Sequence, residues 1–190
     1  MSITIIGTGN MGQAISSVAA KGGHSVQLLG TSDLATEVTG DVVVPAVPYP
    51  ALGEVIAQRG GSLAGRIVVD ITNPLDFSTF DSLVVPSDSS ATAEIAAALP
   101  DSKVLKAFNT TFAGTLVSGT VGSLPTTVLI AGDDAEAKAT LAGIVTAGGL
   151  EALDAGALSR ARELESVAFL QMTLAANEKI SWTGGFGLVG

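Results

Sequence analysis

The glycine-rich turn near the N-terminus constrains the fold of this chain more than any other feature. It reads Gly-Thr-Gly-Asn-Met-Gly over residues Gly7 to Gly12 and directly follows the apolar run Ser2 to Ile6. Such a run indicates a strand buried on both faces, and the apolar stripe within Met11 to Lys21 indicates a helix. A strand, a glycine turn and a helix in this order predict the first unit of a doubly wound, mostly parallel α/β sheet.

The three glycines of this turn have separate physical roles in holding a dinucleotide. Gly7 permits the tight turn, Gly9 lets the backbone approach a pyrophosphate, and Gly12 lets the helix pack closely on the strand. The first turn of the helix then offers backbone N–H groups without intrahelical partners to the phosphates. The alternative is a glycine-rich connection that binds no ligand.

Strand and helix patterns continue to alternate after the first helix, which predicts a single Rossmann-type domain over residues 1–190. The predicted strands are Ser25–Leu29, Asp41–Val47, Arg66–Thr72, Lys103–Phe108, Thr126–Ala131 and Leu150–Asp154. The predicted helices are Leu52–Arg59, Ala91–Leu99, Ala135–Ala147 and Ser159–Asn177. Between residues 30 and 40 there is room for about two helical turns, too few for a full crossover.

Composition narrows the classes of function. The chain has 190 residues, 9 Lys and Arg against 18 Asp and Glu, and a formal charge of −9, which argues against nucleic acid and anionic membrane surfaces as partners. It has no Cys, which excludes thiolate catalysis, and His24, its single His, precedes the second strand, away from the ligand edge. No apolar stretch spans a bilayer and no basic secretory start is present, so we expect a cytoplasmic protein.

Three segments follow predicted strands at the carboxyl edge of the sheet, where open α/β sheets bind ligands. The first, with Val47, Pro48 and Tyr49, is stiffened by proline and is interpreted as a wall against the nicotinamide ribose or as a turn that ends the strand. The other two contain Asn73 and Asn109, whose amides could fix a ring carboxamide or a substrate oxygen. Either asparagine could instead satisfy its own backbone in a turn.

The end of the second strand indicates which dinucleotide is bound. Thr31 stands where an acid would bond the ribose 2′-hydroxyl, and the hydroxyls of Thr31 and Ser32 can donate to a 2′-phosphate. No Arg or Lys follows, and Asp33 comes two residues late, where it caps a short helix or faces a ribose. These residues favour NADP over NAD, with NAD as the alternative.

Taken together, these segments give the chain a family likeness over nearly its full length. The segments that carry it are Ile6 to Gly12, Ala46 to Pro48, Asp70 to Pro74, Lys106 to Thr110, Ala131 to Asp134, and Leu153 to Leu158 with Arg162 to Glu165. With them the chain resembles the F420-dependent NADP oxidoreductases and related dinucleotide-binding reductases. The resemblance implies a homodimer that binds NADPH along the sheet edge and a second ring cofactor, F420 or a flavin, against the nicotinamide.

The resemblance also implies roles for individual residues. The pyrophosphate would be held by Thr8, Gly9, Asn10 and Met11, and the 2′-phosphate by Thr31 and Ser32. The adenosine and ribose wall would be Val47, Pro48 and Tyr49. The nicotinamide and the acceptor would lie beside Asn109, Thr110 and Ala113, and Gly185 to Leu188 would close the acceptor pocket. Residues 155–190 would thus complete that pocket as a C-terminal helix and tail.

Two departures from the family pattern concern the adenosine end of the site. Members that bind NADP usually have an Arg where this chain has Ser32. The short connection from Gly30 to Asp41 also implies that the third strand of the standard Rossmann half is missing.

The scarcity of acid–base residues bears on the reaction. Hydride transfer between two ring cofactors depends on alignment more than on a protein acid, so an NADP-dependent oxidoreductase with a deazaflavin or flavin acceptor is expected. Reduction of a small carbonyl or imine would need a proton donor, for which Tyr49 and Lys106 are the candidates near the sheet edge. A non-enzymatic NAD(P) sensor is the alternative outside enzymes. Trp182, near the C-terminus, is a candidate pocket-lining aromatic.

Overall fold

Strands and helices alternate along the computed structural model, which describes residues 1–30, 32–33 and 35–189. The strands are β1 Ser2–Ile6, β2 Ser25–Leu29, β3 Val42–Pro45, β4 Ile67–Asp70, β5 Lys103–Lys106, β6 Thr120–Val121, β7 Leu124–Pro125, β8 Thr127–Gly132 and β9 Glu151–Gly156. The helices are α1 Asn10–Lys21, α2 Tyr49–Leu63, α3 Ala91–Ala98, α4 Ala113–Ser118, α5 Ala135–Ala147 and α6 Ala161–Ala176, the last preceded by a 3₁₀ turn at Leu158–Arg160.

Seven of the strands form one sheet in the order β2-β1-β3-β4-β5-β8-β9. All neighbours pair in parallel except β5 and β8, which are antiparallel. Strands β6 and β7 form a separate antiparallel hairpin. The sheet is the predicted doubly wound, mostly parallel architecture, and it places the ends of β1, β3, β4 and β5 at one edge.

The core lies on both faces of this sheet, as the central strand β3 shows, since all four of its residues are apolar and buried. In β3, Val42 and Val44 pack in the cluster that includes residues of α1 and α5, whereas Val43 packs in the cluster that includes residues of α2 and α3. Val43 is fully buried. Each such side chain contributes about 1.5–3 kcal/mol through burial.

The described residues of the connection between β2 and β3 form no strand, and β2 is the edge strand of the sheet. No helix forms among these described residues, and the connection is not a full crossover, as expected from its length. Three side chains, Gln27, Arg59 and Arg66, satisfy its backbone carbonyls instead. The carbonyls they reach are those of Asp33, Thr36, Glu37, Val38 and Gly40.

Two elements were not predicted from the sequence. Helix α4 has six residues between Phe112 and Gly119, which is too short to show a helical period. Gly119 ends it at φ 77°, and the hairpin β6–β7 follows directly. Helix α2 also begins earlier than predicted, so that Tyr49 and Pro50 form its first turn.

Candidate functional site

The glycine turn is shaped as its sequence predicts, with glycine required at two of the three positions. Gly7 has φ 127°, and a Cβ there would collide with the backbone of Ala46. A Cβ on Gly12 would collide with the carbonyl of Gly7. A Cβ on Gly9 would meet nothing within 4 Å. The turn therefore needs Gly7 and Gly12 for its own packing and leaves open space in front of Gly9.

The start of α1 faces this open space with free backbone donors. The first intrahelical bond runs from the Gln13 N–H to the Gly9 carbonyl at 2.9 Å, so the N–H groups of Asn10, Met11 and Gly12 precede it. In the described chain no side chain caps this end, and no acid lies in the first turn. Partial positive charge and free donors at an uncapped helix start favour an anion such as a diphosphate.

A cavity of about 390 Å³ opens beside the start of α1. Its other walls are the segments that follow β4 and β5, the start of α4, helix α6 and the C-terminal tail. We call it the asparagine cavity because Asn10, Asn73 and Asn109 line it. The structure thus brings together Asn10, Met11, Asn73, Asn109 and Ala113 of the predicted site.

Two of these asparagines bind each other and leave one oxygen free. Asn109 Nδ2 donates to Asn73 Oδ1 at 3.1 Å and to the Leu164 carbonyl at 3.0 Å. Asn73 Nδ2 donates to the Asn109 carbonyl at 3.1 Å. Asn109 is 4% exposed, and its Oδ1 has no hydrogen-bond partner among the described residues. A buried oxygen left in this state costs about 1–3 kcal/mol, so Asn109 carries an unused acceptor in a residue that lines the cavity.

The loop that carries Asn109 is strained. Phe108 has φ 62°, which is rare for a bulky residue, and its side chain is buried in the wall of the asparagine cavity. Both the N–H and the hydroxyl of Thr111 donate to the Phe108 carbonyl, which holds this conformation in place. Such strain costs about 1–3 kcal/mol and is concentrated at functional sites in proteins.

The C-terminal tail contributes an aromatic wall to the same cavity. The rings of Trp182 and Phe112 lie 5.0 Å apart between centroids, inclined at 52°. Thr183 packs so closely on Gly114 of α4 that a Cβ at Gly114 would touch it. The candidate aromatic of the sequence, Trp182, therefore lines the cavity, and it is 49% exposed.

The tail segment Gly185 to Leu188 does not line this cavity, in contrast to what the family resemblance implied. The Phe186 N–H donates to Oε1 of the buried Gln171 at 3.0 Å. Gln171 Nε2 in turn donates to the Thr110 carbonyl at 3.2 Å. Gln171 thus ties the tail to the loop after β5 through the Thr110 carbonyl, and Thr110 does not itself line the cavity.

A second opening, of about 180 Å³, lies between the glycine turn, the end of β2 and α2. We call it the arginine cleft because Arg59 lines it, together with Gly7, Gly30 and Val47. Asp33 Oδ2 accepts from the Gly30 N–H at 2.7 Å, so this carboxylate holds the turn after β2. Ser32 follows β2 within that turn, and Thr31 lies outside the described residues.

Tyr49 is not brought to either opening. It lies in a groove between α2 and α3, where its hydroxyl donates to Glu94 Oε2 at 2.6 Å. Burial and then the bond to the Glu94 carboxylate raise the pKa of Tyr49 to about 12. Pro48 is the N-cap of α2, and Val47 is the member of this segment that lines the arginine cleft. Of the three residues of the predicted wall, Val47 alone lines the arginine cleft.

A buried ion cluster beside the site was not predicted from the sequence. Lys106 Nζ lies 2.8 Å from both Asp70 Oδ2 and Glu165 Oε1 and 2.6 Å from the Thr72 carbonyl. Thr92 also donates to the Asp70 carboxylate. Lys106 is fully buried, and these three acceptors match its three donors, so it cannot serve as the exposed proton donor considered above.

Glu165, near the start of α6, is buried rather than solvated. It is 1% exposed and accepts from the Ala91 N–H at 3.1 Å as well as from Lys106. Burial raises the pKa of Glu165, and the neighbouring Lys106 opposes that effect. The apolar stripe of α6 gives no hint of this contact, because the partners lie far away in the sequence.

Two further classes of feature are absent from residues 1–30, 32–33 and 35–189. No group of three or more His, Cys, Asp or Glu side chains could hold a metal ion there. No helix in that part of the chain is long and apolar enough to cross a bilayer.

Comparison with known proteins confirms the family resemblance. No family model matches the chain. It is 29% identical to the F420-dependent NADP reductase of Methanocaldococcus jannaschii over 166 residues, 85% of this chain and 74% of that protein. It is 35% identical to the metalloreductase STEAP3 of Rattus norvegicus over 113 residues, 59% of this chain and 22% of that protein.

The fold is confirmed by a solved structure. A candidate F420-dependent NADP reductase from Arthrobacter sp. FB24 superposes with a TM-score of 0.87 at 25% identity. The superposition covers 100% of this chain and 100% of that chain.

Proposed function

We propose that this relative of the F420-dependent NADP reductases is an NADP-dependent oxidoreductase that transfers a hydride between NADP(H) and a deazaflavin or flavin acceptor. NADP(H) would bind with its diphosphate at the glycine turn and its nicotinamide in the asparagine cavity. The acceptor ring would occupy the rest of that cavity.

The chemistry of the asparagine cavity is the observation that carries this proposal. Among the described residues, its lining consists of amide, hydroxyl, thioether, apolar and aromatic groups, with no Asp, Glu, Lys, Arg, His or Tyr. Reduction of a carbonyl or imine needs a proton donor within hydrogen-bond reach, whereas exchange of a hydride between two rings needs mainly their alignment. The lining therefore favours a ring acceptor over a small carbonyl or imine.

The glycine turn and Asn109 account for the binding of NADP(H). The free N–H groups of Asn10, Met11 and Gly12 would hold the diphosphate in the space left open at Gly9. Asn109 has committed its Nδ2 to Asn73 and Leu164, so its free Oδ1 can only accept. A carboxamide N–H is the donor that the nicotinamide presents, and the bound nicotinamide supplies or takes up the hydride.

The C-terminal part of the chain would complete the acceptor pocket, and the chain would act as one NAD(P)-binding domain over residues 1–190. Met172 of α6 and Trp182 of the tail line the asparagine cavity opposite the strand ends. An aromatic and a thioether form a suitable apolar wall for a flat ring. In this proposal residues 155–190 complete the acceptor pocket, and Trp182, rather than Gly185 to Leu188, closes it.

We further propose that the protein works as a cytoplasmic homodimer. Helix α6 exposes Val167 and Leu170, at 40% and 53%, and Phe186 of the tail is 46% exposed. Exposed apolar side chains on one helix and its adjoining tail favour burial against a second copy. The net charge of −9 argues against nucleic acid as a partner.

Isotope transfer from the cofactor tests the proposed reaction. NADPH deuterated at the transferable position would be incubated with the protein and with F420, FMN or FAD in separate assays. We expect NADPH oxidation with at least one acceptor, and deuterium in the reduced acceptor when that acceptor is F420. NADPH binding by calorimetry without oxidation by any ring acceptor would favour a sensor. Oxidation only by aldehydes, ketones or imines would favour a reductase of small substrates.

A further inference from the structure

We propose that Arg59, on α2, makes this chain select NADP over NAD by supplying the positive charge for the 2′-phosphate. The inference rests on the proposed function only in requiring that a dinucleotide binds at the glycine turn. It concerns the arginine cleft, where the adenosine half of that dinucleotide would lie.

The loop after β2 contains no cation of its own. From Gly30 to Asp41 the sequence has neither Arg nor Lys. A 2′-phosphate bound at this loop would therefore need a charge from elsewhere in the fold. Arg59 reaches it from α2, with Nη1 donating to the Thr36 carbonyl at 2.7 Å and Nη2 to the Asp33 carbonyl.

The Arg59 guanidinium is buried without a counter-ion. It is 7% exposed, and its two partners in the described part of the chain are neutral carbonyl oxygens. No carboxylate of that part lies within the 4.0 Å of an ion pair. A buried cation of this kind is costly unless an anion joins it, and three of its five N–H donors have no described partner. The cation therefore fits an anionic ligand in the cleft that it lines.

The acids near the cleft do not take this role. Asp33 uses its Oδ2 on the Gly30 N–H, which turns that carboxylate onto the loop. Glu54 lines the cleft on the same helix as Arg59 but forms no ion pair with it. A phosphate monoester would meet one fixed guanidinium and the N–H groups of the turn, whereas the 2′-hydroxyl of NAD gains little from a cation.

Arg66 provides a matched control. It holds the same connection through the carbonyls of Val38 and Gly40, but it does not line the arginine cleft. Loss of Arg66 should loosen the loop without removing charge from the cleft. Loss of Arg59 should loosen the loop and also remove the charge from the cleft.

The experiment compares dissociation constants for NADPH and NADH, and for 2′,5′-ADP and 5′-AMP, by calorimetry on the intact chain. Arg59→Gln should weaken NADPH and 2′,5′-ADP about 10 to 100-fold and NADH and 5′-AMP less than about threefold. Arg66→Gln should change the dissociation constants of NADPH and NADH by one common factor, and likewise those of 2′,5′-ADP and 5′-AMP. Arg59→Lys keeps the charge and should keep most of the preference, and it replaces Arg59→Gln if that variant does not fold.

The outcomes separate this inference from the proposed reaction. The inference is overturned if the ratio of the NADPH and NADH dissociation constants is unchanged in Arg59→Gln. It is also overturned if that ratio changes equally in Arg66→Gln, or if Arg59→Lys loses the preference for NADPH. If the ratio changes as expected but no ring acceptor oxidises NADPH, the inference stands and the proposed reaction fails. If wild type binds neither dinucleotide, both fail.

Discussion

Asn109 Nδ2 donates to Asn73 Oδ1 over 3.1 Å, and the Oδ1 of Asn109 itself has no partner among the described residues. The pair joins the segments that follow β4 and β5, so it fixes where this free oxygen stands. A fixed, buried acceptor is preorganised for a ligand donor and loses little entropy when the donor binds.

Asn109→Ala should therefore weaken NADPH binding about tenfold, because the acceptor for the carboxamide is removed. Asn73→Ala is the comparison: it keeps the Asn109 oxygen and the bond of Asn109 to the Leu164 carbonyl but loses one of the two bonds that hold the amide, so it should weaken binding less than Asn109→Ala does. Calorimetry with NADPH measures both. Wild-type affinity in Asn109→Ala would show that the free oxygen does not meet the cofactor.

Gly9→Ala should separate binding from stability. A Cβ there meets nothing in the protein, so the melting temperature should stay within about 2 °C of wild type, while NADPH affinity falls at least about tenfold. Gly61→Ala in α2, where a Cβ is also free of contacts, should leave NADPH binding unchanged. A melting temperature that falls strongly in Gly9→Ala would assign Gly9 a structural role like that of Gly12.

The ion cluster should respond asymmetrically to the loss of its members. Lys106→Met leaves the Asp70 and Glu165 carboxylates buried without a cation and should lower the free energy of unfolding by about 3–5 kcal/mol. Glu165→Gln leaves the Lys106–Asp70 pair intact and should cost far less. Denaturant unfolding measures the free energy of unfolding of both variants. An equal decrease in the two variants would contradict the prediction.

Glu165 should also give the stability a specific pH dependence. Its folded-state pKa is raised above the usual value of 4.5, so the folded protein holds this proton more tightly than the unfolded chain. The contribution of Glu165 to stability is therefore fully present below pH 4.5 and is lost as the pH rises through the folded-state value. The stability of Glu165→Gln relative to wild type should accordingly rise with pH over that window. A difference that does not vary with pH would argue that the Lys106 charge cancels the effect of burial.

Trp182→Ala should affect the acceptor and spare the dinucleotide. The indole lines the asparagine cavity from the tail and packs on Phe112, whereas the donors proposed for the diphosphate are backbone N–H groups at the start of α1. We expect the KM for the ring acceptor to rise about 3 to 10-fold with the NADPH dissociation constant unchanged. Trp182→Phe keeps an aromatic face, so its KM for the ring acceptor should lie between those of wild type and Trp182→Ala. Unchanged KM in both variants would remove the tail from the acceptor pocket.

Local patterns were sufficient to predict much of the fold. The bounds of β1, β2 and α5 agree with the prediction residue by residue, because each is an uninterrupted apolar or periodic segment between clear turn signals. The glycine turn and the paired asparagines were also identified, since both follow buried strands. Helix α4 was missed because six residues show no period.

The features that could not be predicted depend on contacts between distant residues. Glu165 pairs with Lys106 across 59 positions of the sequence, and Arg59 reaches the Thr36 carbonyl across 23. Neither residue carries a local mark that distinguishes it from a solvated charge. Tyr49 was placed in the adenosine wall because the start of α2 was set three residues too late, and the first helical turn directs it toward Glu94.

The segment between β2 and β3 is held in part by side chains from outside it, which has an evolutionary consequence. A strand in that place would have to keep its register with the sheet whenever its residues changed. Backbone carbonyls that accept hydrogen bonds from two arginines and a glutamine impose no such requirement. Substitutions and insertions at exposed positions of this connection can therefore leave the sheet intact. Mutations at the exposed positions of this connection can therefore change the surroundings of a bound adenosine, while its buried residue Val38 stays in the core.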